Sequence, residues 1–223
     1  MKAISAVIQE RLVESGTPFL STDNISAHLR EGDMDLLQVE VEGRVLALLE
    51  SLVIDVTNDH NTRDTARRVS KMYLKEIFSG RYDPQPSVTD FPNAKKVDEL
   101  YVVGPIEVRS CCSHHLAPIQ GKLWIGVHPS SRVMGLSKFH RLANWVMERP
   151  QIQEEATIAL ADLIEDLISP LGLGLVFTAQ HMCCAMRGVK DNTTWMTTSV
   201  VRGTLRESIG LKQEFLSLVK LNP

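Results

Sequence analysis

Residues 100–128 read LYVVGPIEVRSCCSHHLAPIQGKLWIGVH, and this stretch decides the fold. Two runs within it, Leu100 to Cys111 and Lys122 to His128, are rich in Val and Ile and alternate in part between apolar and polar side chains. Such runs predict β-strands. Leu173 to Cys184 and Thr193 to Val201 have the same character, so the sequence predicts a second pair of strands further along the chain.

Two helices are predicted between the two pairs of strands. Leu136 to Glu148 is amphipathic and is ended by Pro150, and Ile152 to Ile168 is strongly apolar and is followed by Pro170. A short helix from Leu211 to Val219 closes the chain. The order strand, strand, helix, helix, strand, strand indicates an α+β fold.

The earlier part of the chain predicts a separate helical region. Residues 1–35 mix short apolar stretches with Gly, Ser, Thr and Asp, and we expect a weakly structured arm there. Apolar residues at helical spacing predict one helix from about Met34 to Val56 and a second from Asn61 to Gly80. We therefore expect this arm, a helical region over residues 36–95, and a domain over residues 96–223 that holds the strands.

The composition is that of an ordinary globular protein. Of the 223 residues, 43% are hydrophobic and 23% are charged, which allows a buried core. The formal net charge of -3 gives no sign of a nucleic-acid or membrane partner, so a site for a polyanion must concentrate its positive charge locally. The sequence has no apolar run long enough to cross a bilayer and no signal-peptide core, and we expect a cytoplasmic protein.

The cysteines form two adjacent pairs, Cys111-Cys112 and Cys183-Cys184, which suits metal binding or catalysis better than a disulfide framework. Cys112 and His115 are spaced so that one turn can present a thiolate and an imidazole to one ion. Cys183, from a distant strand, would be a third ligand and leave the fourth position for water, as in catalytic zinc sites. The alternative is a buried thiol and a histidine bonded to backbone.

His181 precedes Cys183 by two residues, so both side chains would share one face of the predicted strand. A histidine beside a metal ligand is well placed to carry protons. The other interpretation is a surface histidine held by an ordinary hydrogen bond.

Several positively charged or hydroxyl side chains could form an anion site, because a helix N-terminus offers free N–H groups to phosphate. The candidates are Ser137, Lys138 and Arg141 at the start of the first domain helix and Arg187 beyond the last cysteine pair. Arg68 and Lys71 on the earlier helix are two more, and they could come from a neighbouring subunit. Each of these charged side chains, taken alone, could also be an ordinary solvated group on the protein surface.

Glu154 lies in the first turn of the second domain helix. Its carboxylate can accept two hydrogen bonds side by side, and guanine offers two donors, N1–H and the 2-amino group, whereas adenine does not. An acidic residue that favours the helix dipole is the other interpretation.

Five stretches together closely resemble the GTP cyclohydrolase I family, in the order and spacing of that family. They are His60–Val69 (HNTRDTARRV), Cys112–His115 (CSHH), Gly135–Lys138 (GLSK), Arg149–Glu154 (RPQIQE) and His181–Val189 (HMCCAMRGV). The resemblance covers residues 36–219 and leaves the N-terminal arm outside.

The resemblance implies a zinc-dependent enzyme that opens the imidazole ring of GTP, releases formate and forms 7,8-dihydroneopterin triphosphate. It implies Cys112, His115 and Cys183 as the zinc ligands, and His114 and His181 as the residues that transfer protons. It implies that Ser137 assists later proton transfers and, with Lys138, Arg141 and Arg187, binds the ribose and the triphosphate. Glu154 and Gln153 would be further substrate contacts, with Glu154 at the guanine edge. Arg68 and Lys71 would reach the site across a subunit boundary.

The resemblance also implies the tunnelling fold, an antiparallel four-stranded sheet with two helices on one face, preceded by N-terminal helices. Members of the family assemble as toroidal homodecamers with sites between subunits, and neither nucleic acid nor membrane is an expected partner. One departure is Ser113, which stands where the family usually has Glu, a change that can alter a nearby arginine or the basicity of the site. Cys111 and Cys184 are candidates for alternative ligands or oxidation partners.

Two other functions fit the same residues. A related cyclohydrolase could supply a deazapurine or another secondary pathway, and only the product would distinguish it. A zinc-stabilised nucleotide sensor without turnover would need ligands and cations but no proton carriers, so the presence of both His114 and His181 favours an enzyme.

Overall fold

The computed structural model describes residues 2–221 of the chain. It divides into two compact units, one up to Pro84 and one from Gln85 onward, and each unit has a hydrophobic core. The three regions expected from the sequence, with a boundary after residue 95, stay a prediction. No helix among the described residues has both the length and the apolar character needed to cross a membrane.

The first unit is helical. Its α-helices are α1 (Ile4–Glu14), α2 (Asp33–Ser51), α3 (Thr65–Met72) and α4 (Ser79–Tyr82), with a 3-10 turn at Ser26–His28 and a π-helical turn at Tyr73–Ile77. The predicted helix from Met34 to Val56 is confirmed over most of its length. The helix predicted from Asn61 to Gly80 begins later and is divided by the π-helical turn.

The expectation of a weakly structured N-terminal arm is wrong, because α1 forms there. Ile8 and Leu12 of α1 are buried in a cluster that includes Leu37 of α2. The guanidinium of Arg11 also forms an ion pair with the carboxylate of Asp33 at the start of α2. A helix of this length is marginal in water, so the packing against α2 stabilises it.

The second unit contains the strands. They are β1 (Asp90–Pro92), β2 (Tyr101–Cys112), β3 (Pro118–His128), β4 (Arg132–Met134), β5 (Pro150–Gln151), β6 (Gly172–His181) and β7 (Met196–Gly203). Its helices are α5 (Leu136–Met147), α6 (Gln153–Ile168), α7 (Met182–Ala185), α8 (Thr204–Glu207) and α9 (Ile209–Leu221).

The main sheet has the strand order β5-β2-β3-β6-β7. β2, β3, β6 and β7 pair antiparallel, so the predicted four-stranded antiparallel sheet is confirmed, and β5 adds a short parallel strand beside the end of β2. The apolar residues of α5 and α6 form one core with those of the four strands. Two helices thus cover one face, which confirms the α+β tunnelling architecture. β1 and β4 form a separate small sheet.

The other face of the sheet is partly covered by α9. Phe215 of α9 is fully buried, and it packs where Gly126 of β3 and Gly174 of β6 are register partners. A Cβ atom at Gly126 would lie 2.5 Å from the Phe215 ring, and one at Gly174 would lie 2.7 Å from it. The two glycines therefore form the space that the aromatic ring occupies.

One strand boundary matters for the site. The strand predicted to run from Leu173 to Cys184 ends at His181, and the chain turns into α7. Cys183 is consequently in a helical turn and not in the strand.

Candidate active site

Cys112 and His115 come from the turn that joins β2 to β3. Cys112 is the last residue of β2 and is buried, and its backbone N–H donates to Ala117 O at 2.8 Å. The backbone N–H of Leu116 donates to Cys112 O at 2.8 Å and closes the turn. Both side chains therefore lie at the same end of the sheet, as their spacing predicts.

Cys183 reaches the same end of the sheet from β6. β2 and β6 both pair antiparallel with β3, so they run in the same direction and their last residues lie at the same end of the sheet. One potential ligand atom from each of Cys112, His115 and Cys183 lies within 4.8 Å of the other two. The structure thus brings together the three residues that the sequence predicts as metal ligands.

These three side chains have the donor chemistry that zinc requires. Two sulfurs and one imidazole nitrogen are ligands that zinc prefers, and three protein ligands leave one tetrahedral position open. Burial, and then a hydrogen bond that the Cys183 thiol donates to the sulfur of Cys112, raises the pKa of Cys183 to about 11. A cation is therefore needed to hold the Cys183 sulfur as a thiolate near neutral pH.

Cys111 and Cys184 lie outside this metal-binding group, as far as residues 2–221 are concerned. Burial, followed by the neighbouring Cys112, raises the pKa of the Cys111 thiol to about 11. Cys184 is exposed. The side chain of Cys184 is hydrogen-bonded to that of Cys183, and the roles of Cys111 and Cys184 as alternative ligands or oxidation partners stay predictions.

His181 is the last residue of β6 and is half-buried. Its Nε2 lies 2.8 Å from Oε1 of Gln153, the first residue of α6. Burial lowers the pKa of His181, and the nearby Glu154 carboxylate acts in the opposite direction. His181 and Cys183 do not share a strand face as predicted, because Cys183 lies beyond the strand. The two residues nevertheless remain neighbours at the junction of β6 and α7.

His114 lies in the same turn as His115 and is exposed. Its Nδ1 is 3.7 Å from the sulfur of Cys112, and the rings of His114 and His115 meet edge to face with centroids 6.4 Å apart. The imidazole of His114 therefore lies beside Cys112, and His181 precedes Cys183 by two residues.

Arg187 lies against the metal-binding group. Its Nη1 is 2.7 Å from Nε2 of His115. A guanidinium can only donate hydrogen bonds, so Nε2 of His115 accepts this one. The same lone pair cannot bind a metal ion at the same time, and coordination through that nitrogen would free Arg187 for another acceptor.

The residues predicted at the phosphates are not all brought to this group. Ser137, Lys138 and Arg141 lie on the first turns of α5, and Lys138 Nζ donates to Ser87 O at 3.0 Å. In the described part of the chain, no hydrogen bond or ion pair joins these three to the cysteines or to His115. Their roles stay predictions.

Arg68 and Lys71 belong to α3 of the first unit and are exposed. Arg68 Nη2 lies 3.7 Å from the carboxylate of Asp64, and Lys71 Nζ lies 3.4 Å from that of Glu76. Pairs this exposed contribute little to stability. The expectation that these cations serve a site across a subunit boundary stays a prediction.

The sequence analysis placed Gln153 among the substrate contacts and missed its place in the core. Gln153 is only 1% exposed, and its side-chain amide is bonded within the protein. A signal was present, because Gln153, Ala156 and Leu160 recur at helical spacing along the buried stripe of α6.

Known proteins resemble this chain over most of its length. The family model described as GTP cyclohydrolase I matches residues 41–220. A GTP cyclohydrolase 1 of Aeromonas salmonicida is 35% identical over 182 residues, which are 81% of this chain and 83% of that protein. A GTP cyclohydrolase 1 of Yersinia enterocolitica is 34% identical over 194 residues, which are 86% of this chain and 88% of that protein.

Among solved structures, the archaeosine synthase QueF-Like in its apo form aligns with 54% of this chain and 97% of its own, at a TM-score of 0.37 and 11% sequence identity. A likeness of that size bears neither on the fold nor on the function.

Proposed function

The chain belongs to the GTP cyclohydrolase I family, and from that premise we propose that it uses zinc to convert GTP into formate and 7,8-dihydroneopterin triphosphate. The observation that carries the proposal is the meeting of the Cys112, His115 and Cys183 ligand atoms within 4.8 Å. That group has the number and the type of donors that a catalytic zinc site requires.

Cys112, His115 and Cys183 hold the metal in this proposal. When bound, zinc supplies the activation of water for hydrolysis at C8 of the purine. Ser113, which follows Cys112, carries a hydroxyl where the resemblance to the family leads us to expect a carboxylate. The chain therefore relies on its remaining polar groups to orient residues around the ligands.

Two histidines move protons in this proposal. His181 takes a proton from the water that attacks C8 and passes it to N7 as the imidazole ring opens, and His114 serves the second hydrolysis, in which C8 leaves as formate. An imidazole can give and take protons near neutral pH, as both steps require. The ribose then undergoes an Amadori rearrangement, assisted by Ser137, and ring closure with loss of water gives the dihydropterin.

The other polar residues bind and orient the substrate. Glu154 accepts the N1–H and 2-amino donors of guanine, and its effect on the pKa of His181 supports a position close to that histidine. Lys138, Arg141 and Arg187 bind the triphosphate, which is not cleaved. Its binding energy serves to orient the distant purine.

Arg68 and Lys71 complete the anion site from a neighbouring subunit of a homodecamer in this proposal. They are exposed on α3, which leaves their charges available to another chain. We place the enzyme in the cytoplasm, where free cysteines stay reduced.

The direct test is to incubate zinc-loaded protein with GTP and to measure formate, pterin fluorescence and the mass of the product. We expect formate and dihydroneopterin triphosphate in equal amounts. A zinc-loaded preparation that releases neither would reject the assignment, and a different pterin or a deazapurine precursor would assign the chain to another branch of the family.

A nucleotide sensor is the competing interpretation, and the same preparation tests it. A sensor binds GTP and releases no formate, whereas the proposed enzyme turns GTP over. Alanine at His114 or His181 should abolish formate release and leave GTP binding largely intact. A loss of binding alone would favour the sensor.

A further inference from the structure

The buried amide of Gln153 can be oriented from its neighbours. Its Nε2 lies 2.9 Å from Phe177 O, 3.1 Å from Met196 O and 3.1 Å from Thr198 Oγ1. Two of these neighbours are backbone carbonyls, which can only accept hydrogen bonds. The amide nitrogen must therefore face them, and Oε1 must face His181.

This orientation decides which nitrogen of His181 carries the proton. Oε1 of Gln153 can only accept, and it lies 2.8 Å from Nε2 of His181. Nε2 must then be the protonated nitrogen, since the opposite tautomer would place two acceptors against each other in a buried position. In the neutral imidazole, Nδ1 is left with the lone pair, and no other hydrogen bond to this ring occurs among residues 2–221.

We propose that Gln153 is a positioning residue that holds the imidazole of His181 with Nε2–H toward the core and Nδ1 toward the reacting purine. Gln153 itself does not contact substrate, because it is 1% exposed and both ends of its amide are bonded within the protein. This inference rests on the proposed function, in which His181 is the proton carrier. It replaces the expectation that Gln153 binds substrate directly.

The surroundings of Gln153 make its position rigid. Its backbone carbonyl accepts a hydrogen bond of 2.7 Å from Thr157 Oγ1, and Thr157 Oγ1 lies 3.1 Å from Thr198 Oγ1. The amide thus joins the start of α6 to the ends of β6 and β7. A histidine bonded to such a group keeps its ring orientation and its tautomer.

The first test compares Gln153→Leu with Gln153→Glu in zinc-loaded enzyme. Leucine removes the acceptor for His181, so we expect kcat to fall by about 10-fold to 10⁴-fold. The smaller loss corresponds to weak acid–base assistance, and the larger loss to a histidine left in the wrong tautomer. The KM for GTP should stay within about twofold, because Gln153 makes no substrate contact in the proposal.

Gln153→Glu separates positioning from a merely structural role. Glutamate keeps an acceptor oxygen for His181 but loses the amide N–H donors to Phe177 O and Met196 O. We expect it to recover most of the kcat that leucine loses, although it stabilises the fold no better than leucine does. A structural role predicts the reverse order, since a carboxyl group facing two carbonyls is the worse replacement for folding.

Gln151→Leu is the matched control. Gln151 is also a buried glutamine, and its Nε2 donates to Val146 O at 2.8 Å and to Met147 O at 3.0 Å without reaching His181. We expect this variant to lose thermal stability and to keep kcat within about threefold when it is folded.

A measurement on the unmodified protein covers the case in which the leucine variant does not fold. A neutron structure should show a deuteron on Nε2 of His181, between the ring and Oε1 of Gln153. Each of three results would overturn the inference. The first is a deuteron on Nδ1 alone, and the second is a raised KM with unchanged kcat in Gln153→Leu. The third is a Gln153→Glu variant as inactive as Gln153→Leu. An inactive wild-type enzyme would instead reject the proposed function and leave the neutron result to judge Gln153.

Discussion

Cys112 and Cys183 show how the site depends on single residues. One ends β2 and the other follows β6, so their sulfurs meet in the group of three potential ligand atoms. We expect Cys183→Ala to reduce the zinc content of purified protein from about one ion per chain to a small fraction, because two remaining ligands hold zinc weakly. Elemental analysis by mass spectrometry measures that content.

Cys184→Ala is the matched control for this prediction. Cys184 is the next residue in the chain, it is exposed, and it lies outside the group of ligand atoms. The variant should keep its zinc and its turnover. Equal zinc loss in both variants would contradict the assignment of Cys183.

His181 gives the second prediction at this scale. Its alanine variant should bind GTP within about threefold of the wild-type affinity and lose about 10²-fold to 10⁴-fold in the rate of formate release, as expected for an acid–base residue. Isothermal titration and a formate assay measure the two quantities. His140→Ala is the control, because this exposed histidine is hydrogen-bonded to Leu136 O of its own helix. Comparable activity in the two variants would refute the role of His181.

Among the secondary-structure elements, α9 depends on the paired glycines of β3 and β6. We expect Gly174→Ala to destabilise the protein by about 1–3 kcal/mol, because its Cβ would overlap the Phe215 ring. Thermal unfolding followed by circular dichroism measures this change. Gly210→Ala, in α9 itself, places its Cβ no closer than 3.8 Å to any neighbour and should cause no loss. A Gly174→Ala variant as stable as the wild type would show that α9 does not depend on the space that the two glycines leave for Phe215.

The contact between α1 and α2 predicts a dependence on pH. A hydrogen bond from Arg11, the main cause, lowers the pKa of Asp33 below its ordinary value of 3.8, against the effect of burial. A carboxylate with a lowered pKa stabilises the folded state above 3.8 and loses that contribution as the pH falls through its folded pKa. Wild type should therefore exceed Asp33→Asn in stability at pH 6, and the difference should shrink toward pH 3.

Chemical denaturation of wild type and Asp33→Asn at several pH values measures this difference. A gap between the two proteins that does not change with pH would mean that the charge of Asp33 contributes nothing.

The strands and helices of the second unit could be predicted because their periodicity is strong. α5 and α6 begin within one residue of the starts predicted at Leu136 and Ile152. α1 could not be predicted, because its stability comes from packing against a helix that is distant in sequence. The end of β6 at His181 was also missed, since the apolar pattern continues into α7 and only the turn itself ends the strand.

The metal-binding group could be predicted from spacing, because Cys112 and His115 occupy one turn and the parallel directions of β2 and β6 bring Cys183 to it. The hydrogen-bond partner of His181 could not be predicted from the sequence. Gln153 reaches that histidine only through the packing of α6 on the sheet, and no local pattern records which buried polar group meets which.

For the molecule as a whole, an exposed apolar stripe on α2 supports assembly. Leu36, Val39 and Leu46 share one face of the helix and are 58%, 69% and 37% exposed. Exposed apolar surface of this kind often marks contacts between subunits. We expect wild type to have the mass of a homodecamer, and Val39→Glu to lower that mass while the helical circular dichroism is retained.

Sedimentation at several protein concentrations measures both masses. A wild-type monomer, or a Val39→Glu decamer, would show that this stripe does not hold the assembly.

Anomalous diffraction at the zinc edge, from crystals of a preparation that converts GTP, shows whether Cys112, His115 and Cys183 bind zinc. We expect one anomalous peak per chain, about 2.3 Å from the sulfurs of Cys112 and Cys183 and about 2.0 Å from a ring nitrogen of His115. An active preparation with no peak at these three residues, or with its zinc bound elsewhere, would contradict this expectation.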